Sequence, residues 1–307
     1  MDHPFPLRRR TLLAATALAP VGALATGVGL APAAHAAPSA TRTQLAELEQ
    51  EYAARLGVFA YDTATGRVLT HRADERFPIC SVFKTLAAAA VLRDLDHDGE
   101  YLARRIRYTE EYVTAAGYAP VTSRDENVAN GLTVEELCAA AVSESDNGAA
   151  NLLLRELGGP TAVTRFCRSL GDGLTRLDRW EPDLNSAEPW RETDITSPRA
   201  IGRTYGRLLL GGALAADDRR RLTRWLVANT TNIARFRAGL PADWVLADKT
   251  GGGSAYGVAN DVGVVWPPNR PAVVLCVLST KYDPAGPTDN PLVAKAAAVA
   301  AQGLRLM

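Results

Sequence analysis

Lysine is scarce in this 307-residue chain: of 34 basic side chains only four are lysine (Lys84, Lys249, Lys281 and Lys295), and the other 30 are arginine. Arginine keeps its proton inside a protein, whereas a buried lysine can surrender one. Where arginine serves as the generic cation, a lysine kept next to serine or threonine becomes a candidate for proton chemistry. Lys281 and Lys295 have no motif around them and read as surface groups. Histidine is scarcer still: only His71 and His97 follow residue 36, neither with a ligand-spaced partner, so no metal site is expected. The formal net charge is +0 with no basic stripe, which leaves nothing to attract nucleic acid. No apolar run after the first 36 residues is long enough to cross a bilayer. The four cysteines (Cys80, Cys138, Cys167 and Cys276) show no short spacing, so buried thiols are expected rather than bridges. The expected partner is a small molecule, with no cofactor.

The first 36 residues have the form of an export signal. Arg8-Arg9-Arg10 precede an apolar run that ends in Ala34-His35-Ala36. Arg9-Arg10-Thr11-Leu12-Leu13 resembles a twin-arginine leader, which implies a secreted protein free of the membrane once the leader is removed. The remainder is long enough for one large domain or two interleaved ones. Leu45, Leu48, Tyr52 and Leu56 mark one face of a helix expected over 42–56. Segments 57–61 and 67–70 flank a turn, as in a hairpin. An Ala-rich helical pattern fills 83–142, with a break at 117–120, and further helices are expected at 147–157, 161–170 and 198–210. Periodicity vanishes between 171 and 198, a loop of a length that is usually functional or disordered. Strand signals return at 244–247, 262–266 and 272–278, and a helix over 291–304 closes the chain. The expected fold is α/β (α+β): an antiparallel sheet of about five strands built from both chain ends, with a helical insert. Residues 37–75 plus 228–307 would form the α/β domain and 76–227 the helical one, with the site at their interface.

Three motifs carry chemistry. Cys80-Ser81-Val82-Phe83-Lys84 opens a helix, and residues three apart share a helix face, so the Lys84 amine can reach the Ser81 hydroxyl. A helix N-terminus also offers unpaired N–H groups to an oxyanion. Ser145-Asp146-Asn147 stands at another helix start. Lys249-Thr250-Gly251-Gly252-Gly253 follows a strand and leaves its backbone bare for a ligand. Each alone reads as an ordinary cap or glycine turn.

In this order, the three resemble the motifs of the serine penicillin-recognising enzymes. A fourth segment, Glu181-Pro182-Asp183-Leu184-Asn185, resembles the glutamate loop of class A β-lactamases, and the resemblance runs from about residue 45 to 304. It implies β-lactam hydrolysis by a monomer, with the following roles. Ser81 is the nucleophile, and either Lys84 or Glu181 through a water is its base. Ser145 passes a proton to the departing nitrogen. Glu181 and Asn185 activate the deacylating water. The N–H groups of Ser81 and Gly252 hold the oxyanion. Lys249 and Thr250 bind the substrate carboxylate, Asn147 the acylamino group, and Tyr118 borders the cleft. Arg179 and Asp194 tie the loop ends together.

Two positions depart from the commonest pattern. Val258 stands where many relatives carry arginine, and Arg235 matches the place from which some actinobacterial relatives supply that cation. Gly252 lacks the methyl or hydroxyl common there, and Gly253 excludes the disulfide to Cys80 found in some carbapenem-hydrolysing relatives. A D,D-peptidase shares Ser-x-x-Lys but lacks the glutamate. A β-lactam sensor that stays acylated needs a membrane anchor. A lapsed fold used only for binding would have lost catalytic residue types, and none is lost here.

Overall fold

Asp62 makes the first hairpin. Its carboxylate accepts hydrogen bonds from the Ala64 N–H at 2.9 Å and the Thr65 hydroxyl at 2.7 Å, closing the turn between β1 (Arg55–Asp62) and β2 (Val68–His71). The structure, a computed structural model, describes residues 39–307; the expected export signal lies outside the described residues. Three later strands complete the sheet: β3 (Val245–Gly252), β4 (Ala259–Trp266) and β5 (Val273–Thr280). The order is β2-β1-β5-β4-β3, antiparallel throughout. Both chain ends therefore build one sheet, and β3, which carries Lys249, is its edge.

The longer helices are α1 (Ser39–Glu51), α2 (Phe83–Ala90), α3 (Val134–Ser143), α4 (Asn147–Glu156), α5 (Thr161–Ser169), α6 (Pro198–Leu209), α7 (Ala216–Val227) and α8 (Asn290–Gly303). Val58, Ala60, Leu275 and Val277 pack beneath α1 and α8, while Phe59, Val262, Val264 and Cys276 face α6 and the helical middle. A sheet covered on both faces has strands that read as continuous apolar runs rather than alternating ones. Two short pairings, Phe77–Pro78 with Ile195–Thr196 and Arg105–Ile106 with Leu132–Thr133, pin loops within the helical segment. All the described residues fall in one compact unit.

Three expectations change. α1 ends at Glu51 instead of running to 56, because Ala53 takes a left-handed turn (φ +46°). Leu56 then lies in β1, its N–H donating to Glu49 Oε1 at 2.8 Å. Helix α7 had no sequence signal; only Leu222, Trp225 and Leu226 are buried, a stripe too narrow to mark a mostly charged segment. Lys281 is no surface group: it is 9% exposed, with Nζ 2.6 Å from Asp289. Lys295 is exposed and pairs with Glu51.

Candidate active site

Every residue of α2 is buried, including Lys84. Its sequence, Phe-Lys-Thr-Leu-Ala-Ala-Ala-Ala, explains why: small side chains let neighbouring helices close in from all sides. A short 3₁₀ turn, Cys80–Val82, leads into α2 and carries Ser81, which is 8% exposed. Cys80 sits in the left-handed region at φ +45°, and the Ile79 N–H before it donates to the Asp194 carbonyl at 3.0 Å. All four cysteines are free and buried, as expected, and burial pushes the Cys80 thiol up to about 12. It therefore offers no thiolate to compete with its serine neighbour.

The Lys84 ammonium donates to the Ser145 carbonyl at 2.7 Å, to Asn147 Oδ1 at 2.6 Å and to Ser145 Oγ at 3.4 Å. Glu181 Oε1 lies 3.2 Å away, and both charged side chains are fully buried. The anticipated bond to Ser81 Oγ is not among these, since an ammonium has three protons to place and Ser145 and Asn147 already take them. Burial is the main cause holding Lys84 below its ordinary range, opposed by the Glu181 charge. Lys84 is thus more readily found in its neutral, proton-accepting form than a free lysine.

Asp146 builds the Ser145–Asn147 corner. It caps α4 through the Ala149 N–H at 2.7 Å, and its carboxylate also accepts from the Val121 N–H (2.9 Å), the Thr122 N–H (2.8 Å) and the Thr122 hydroxyl (2.7 Å). The 117–122 loop is thereby fastened to α4. The Asn147 N–H donates to the Tyr118 carbonyl at 2.8 Å and its amide to the Ala116 carbonyl at 2.9 Å. The Tyr118 side chain is left 58% exposed at the rim.

Glu181 is held by its own peptide. Asn151, one turn along α4 from Asn147, takes the Glu181 N–H on Oδ1 (3.0 Å) and gives its amide to the Glu181 carbonyl (2.9 Å). The Asn185 amide donates to Glu181 Oε2, while the Asn185 carbonyl accepts from the N–H (2.8 Å) and hydroxyl (2.9 Å) of Ser254 beyond β3. Glu181 Oε1 and Asn185 Oδ1 are buried and accept no hydrogen bond among the described residues. At the loop ends, Asp194 Oδ1 accepts from the Asp178 and Arg179 N–H groups at 2.8 and 3.0 Å, and its Oδ2 from Arg179 Nε at 2.7 Å. A cavity of about 660 Å³ is lined by Glu181 and Asn151 together with Tyr112 and Trp180. Glu181 lines it, whereas Ser81, Lys84 and Lys249 do not.

The edge strand closes the other wall. Lys249 is fully buried with Nζ 3.0 Å from the Thr250 carbonyl, and burial first, then the Lys84 charge, holds it well below its ordinary range. Thr250 shares a hydroxyl contact with Thr231. A Cβ on Gly251 would stand 3.2 Å from the Ile79 carbonyl and 3.1 Å from Val82 Cγ2, so a bare backbone is what lets β3 approach the Ser81 turn. At Gly252 the nearest atom is 3.9 Å away, so nothing in the fold forbids a side chain there. Arg235 Nη1 donates to the Gly251 and Asn260 carbonyls at 2.7 and 2.6 Å, its Nε to Asn290 Oδ1 at 2.7 Å, and Nη2 borders Gly252. Val258 packs with Cys80 and Ala187 on the opposite face.

Near Lys249 lie two fully buried acids on adjacent strands, Asp248 and Asp261: Asp248 accepts from the Asn232 amide at 2.7 Å and the Asn229 amide at 3.3 Å, and Asp261 Oδ2 from the Phe236 N–H at 3.1 Å. Burial raises both, and the Asp248 charge raises Asp261 further, so the proton belongs to Asp261. A carboxyl whose folded pKa lies above its unfolded value favours the fold at low pH and loses that contribution as pH rises through the folded pKa. Asp261→Asn supplies a permanent donor in place of that proton. The variant is expected to melt higher than wild type at neutral pH, with the advantage shrinking towards about pH 4; melting curves across that range check it.

The comparisons agree with this geometry. The β-lactamase enzyme family matches residues 40–304. A β-lactamase of Kitasatospora aureofaciens is 66% identical, over 96% of this chain and 97% of its own. The solved β-lactamase of Streptomyces albus G is 63% identical, covering 86% of this chain and 99% of its own, with a TM-score of 0.85. An ancestral class A β-lactamase is 50% identical, covering 85% of this chain and 99% of its own, with a TM-score of 0.80. This chain belongs to the β-lactamase enzyme family, in its class A serine branch.

Proposed function

We infer that this chain hydrolyses the β-lactam ring of penicillin- and cephalosporin-type antibiotics in two steps at Ser81, and so confers resistance to them. Ser81 Oγ attacks the lactam carbonyl carbon and the C–N bond breaks. The Ser81 proton leaves through Lys84, or through Glu181 by way of a water, and Ser145 delivers a proton to the ring nitrogen. The N–H groups of Ser81 and Gly252 stabilise the anionic oxygen. A water then gives its proton to Glu181 and attacks the ester carbonyl, which frees Ser81. Lys249, Thr250 and Arg235 hold the substrate carboxylate, Asn147 its acylamino group, and Tyr118 stacks along the rim. The two lobes assigned from sequence, 37–75 plus 228–307 and 76–227, would carry opposite walls of the cleft. The protein would act as a secreted monomer after twin-arginine export.

The observation that carries this reading is the buried Glu181 with two partners, Lys84 on one oxygen and Asn185 on the other. A peptidase or sensor has no use for that arrangement. Ser81→Ala is expected to bring benzylpenicillin turnover below about a thousandth of wild type. Turnover retained in that variant would remove the serine mechanism.

Arg235 already holds β3 through Nη1, so only Nη2 is left for substrate. A charge-assisted hydrogen bond contributes about 1.5–3 kcal/mol. At about 1.4 kcal/mol per tenfold, Arg235→Ala should raise KM for carboxylate-bearing substrates roughly 10- to 100-fold. Steady-state kinetics with an unchanged KM would refute the role.

A further inference from the structure

Asn260 is fully buried on β4 and opposite Gly251; its side chain hydrogen-bonds none of the groups given a chemical or substrate role above, and only its backbone carbonyl meets one of them, Arg235. Its amide donates to the Pro78 carbonyl at 2.9 Å and to the Ile79 carbonyl at 3.3 Å, the two residues leading into Cys80 and Ser81. Its Oδ1 takes the Ser279 N–H of β5 at 3.3 Å, which fixes the amide's orientation. Its own carbonyl accepts from Arg235 Nη1 at 2.6 Å, the nitrogen that also holds the Gly251 carbonyl at 2.7 Å. One residue therefore ties the approach to Ser81, the central strand β5 and the Arg235–Gly251 contact at the edge strand. On the opposite side the Ser81 turn is held by the glutamate loop, through the Ile79 N–H and the Asp194 carbonyl at 3.0 Å. The turn itself is unfavourable for its sequence, since Cys80 is a non-glycine residue at φ +45°. Such a conformation persists only where its surroundings enforce it.

We propose that Asn260 is a positioning residue for the hydrolytic reaction: it sets the distance between the Ser81 turn and β3, and so the spacing of the two N–H groups that receive the anionic oxygen. The inference rests on the serine acyl-enzyme reading given above. Both chemical steps pass through a tetrahedral carbon whose oxygen bears the negative charge, and the same two donors serve both. Removing one such donor costs about 10²–10³ in rate, and a displaced donor costs part of that. A spacing defect therefore slows acylation and deacylation together and leaves initial substrate binding alone. Loss of a proton-transfer group falls on the step that group serves, and a merely structural defect lowers the number of active sites instead.

Asn260→Asp keeps the volume but replaces the donor with an oxygen, and Asn260→Ser keeps one shorter donor if the buried charge prevents folding. Acylation by a chromogenic cephalosporin is followed by stopped flow in the Glu181→Ala background, and deacylation with Glu181 intact by mass spectrometry of the adduct. Rates are expressed per active site, counted from the adduct on Ser81. The expected result is a fall of about 10- to 100-fold in both rate constants, with the dissociation constant of the first complex within about twofold of the parent. Parent rates per active site, or a loss confined to one step or to the first complex, would overturn the proposal. No adduct on Ser81 with Asn260 intact would instead overturn the acyl-enzyme reading beneath it.

Discussion

Glu181→Ala mixed with benzylpenicillin should yield a long-lived adduct on Ser81, heavier than the free protein by one whole penicillin molecule, because opening the ring expels nothing. Wild type under the same conditions should turn over with no persistent adduct. The second step needs a base for water, and no other carboxylate joins the Lys84–Asn185 cluster among the contacts formed. General-base catalysis contributes about 10²–10⁴, so turnover should fall by at least that range. Removal also withdraws the negative charge that holds the Lys84 proton in place. Lys84 then moves further below its ordinary range and is more readily neutral and free to accept a proton, so the first step survives the loss of the carboxylate. The speed of adduct formation therefore separates the two candidate bases. An adduct that forms at nearly the wild-type acylation rate assigns the Ser81 proton to Lys84, and one that forms very slowly assigns it to Glu181 through water. A persistent adduct in wild type would favour a peptidase or a sensor. No adduct in either protein would end the acyl-enzyme account.

The residues of the site are legible in the sequence because each stands in a short local pattern, whereas most of their partners are not. Ser81 and Lys84 share a helix turn, and the scarcity of lysine together with the adjoining serine or threonine motif singles out Lys84 and Lys249. Local spacing states what a side chain could reach, not what competes for it. Ser145 and Asn147, more than sixty residues away, take the Lys84 protons that the three-residue spacing reserves for Ser81. Asn151 has a usable signal, four residues after Asn147 on the same helix face, but nothing marks its target in the loop. Asp146 reads as a plain cap, and a cap it is; its second task of fastening 121–122 depends on where that loop returns. Asp248, Asp261 and Asn260 sit in strands that look like apolar runs with stray polar residues. Their pairing follows from the β3–β4 register, which the order of strands alone does not disclose. The sheet itself is readable from its apolar content. The end of α1 is not, because the hydrophobic face of the helix continues in phase into β1 and only the backbone turn at Ala53 separates them.

Asp194 should be the most destabilising position of the glutamate loop. Asp194→Ala leaves the Asp178 and Arg179 N–H groups without their acceptor and the Arg179 guanidinium without its nearest carboxylate. Asp194 is fully buried but Arg179 is 34% exposed, so the guanidinium can turn towards water or towards Glu188, already 4.0 Å away. The ion pair is therefore the lesser part of the loss, and the orphaned backbone donors, at about 1–3 kcal/mol each, are the greater. Together they put Asp194→Ala at about 3–5 kcal/mol. Asp194→Asn separates the two contributions. Its carbonyl oxygen can still accept from both N–H groups while its amide confronts Arg179 Nε, donor against donor, so its cost should be about 1–2 kcal/mol. The effects on chemistry should follow the same order. Asp194 also presents its own carbonyl to Ile79 beside the Ser81 turn, so a slackened loop misplaces Glu181 and the nucleophile together. Melting curves and kcat for the two variants provide the test. If Asp194→Asn costs as much as Asp194→Ala, the charge is the tether after all. If both keep wild-type melting temperature and turnover, the loop is held elsewhere, through Asn151 and the Ser254 contact.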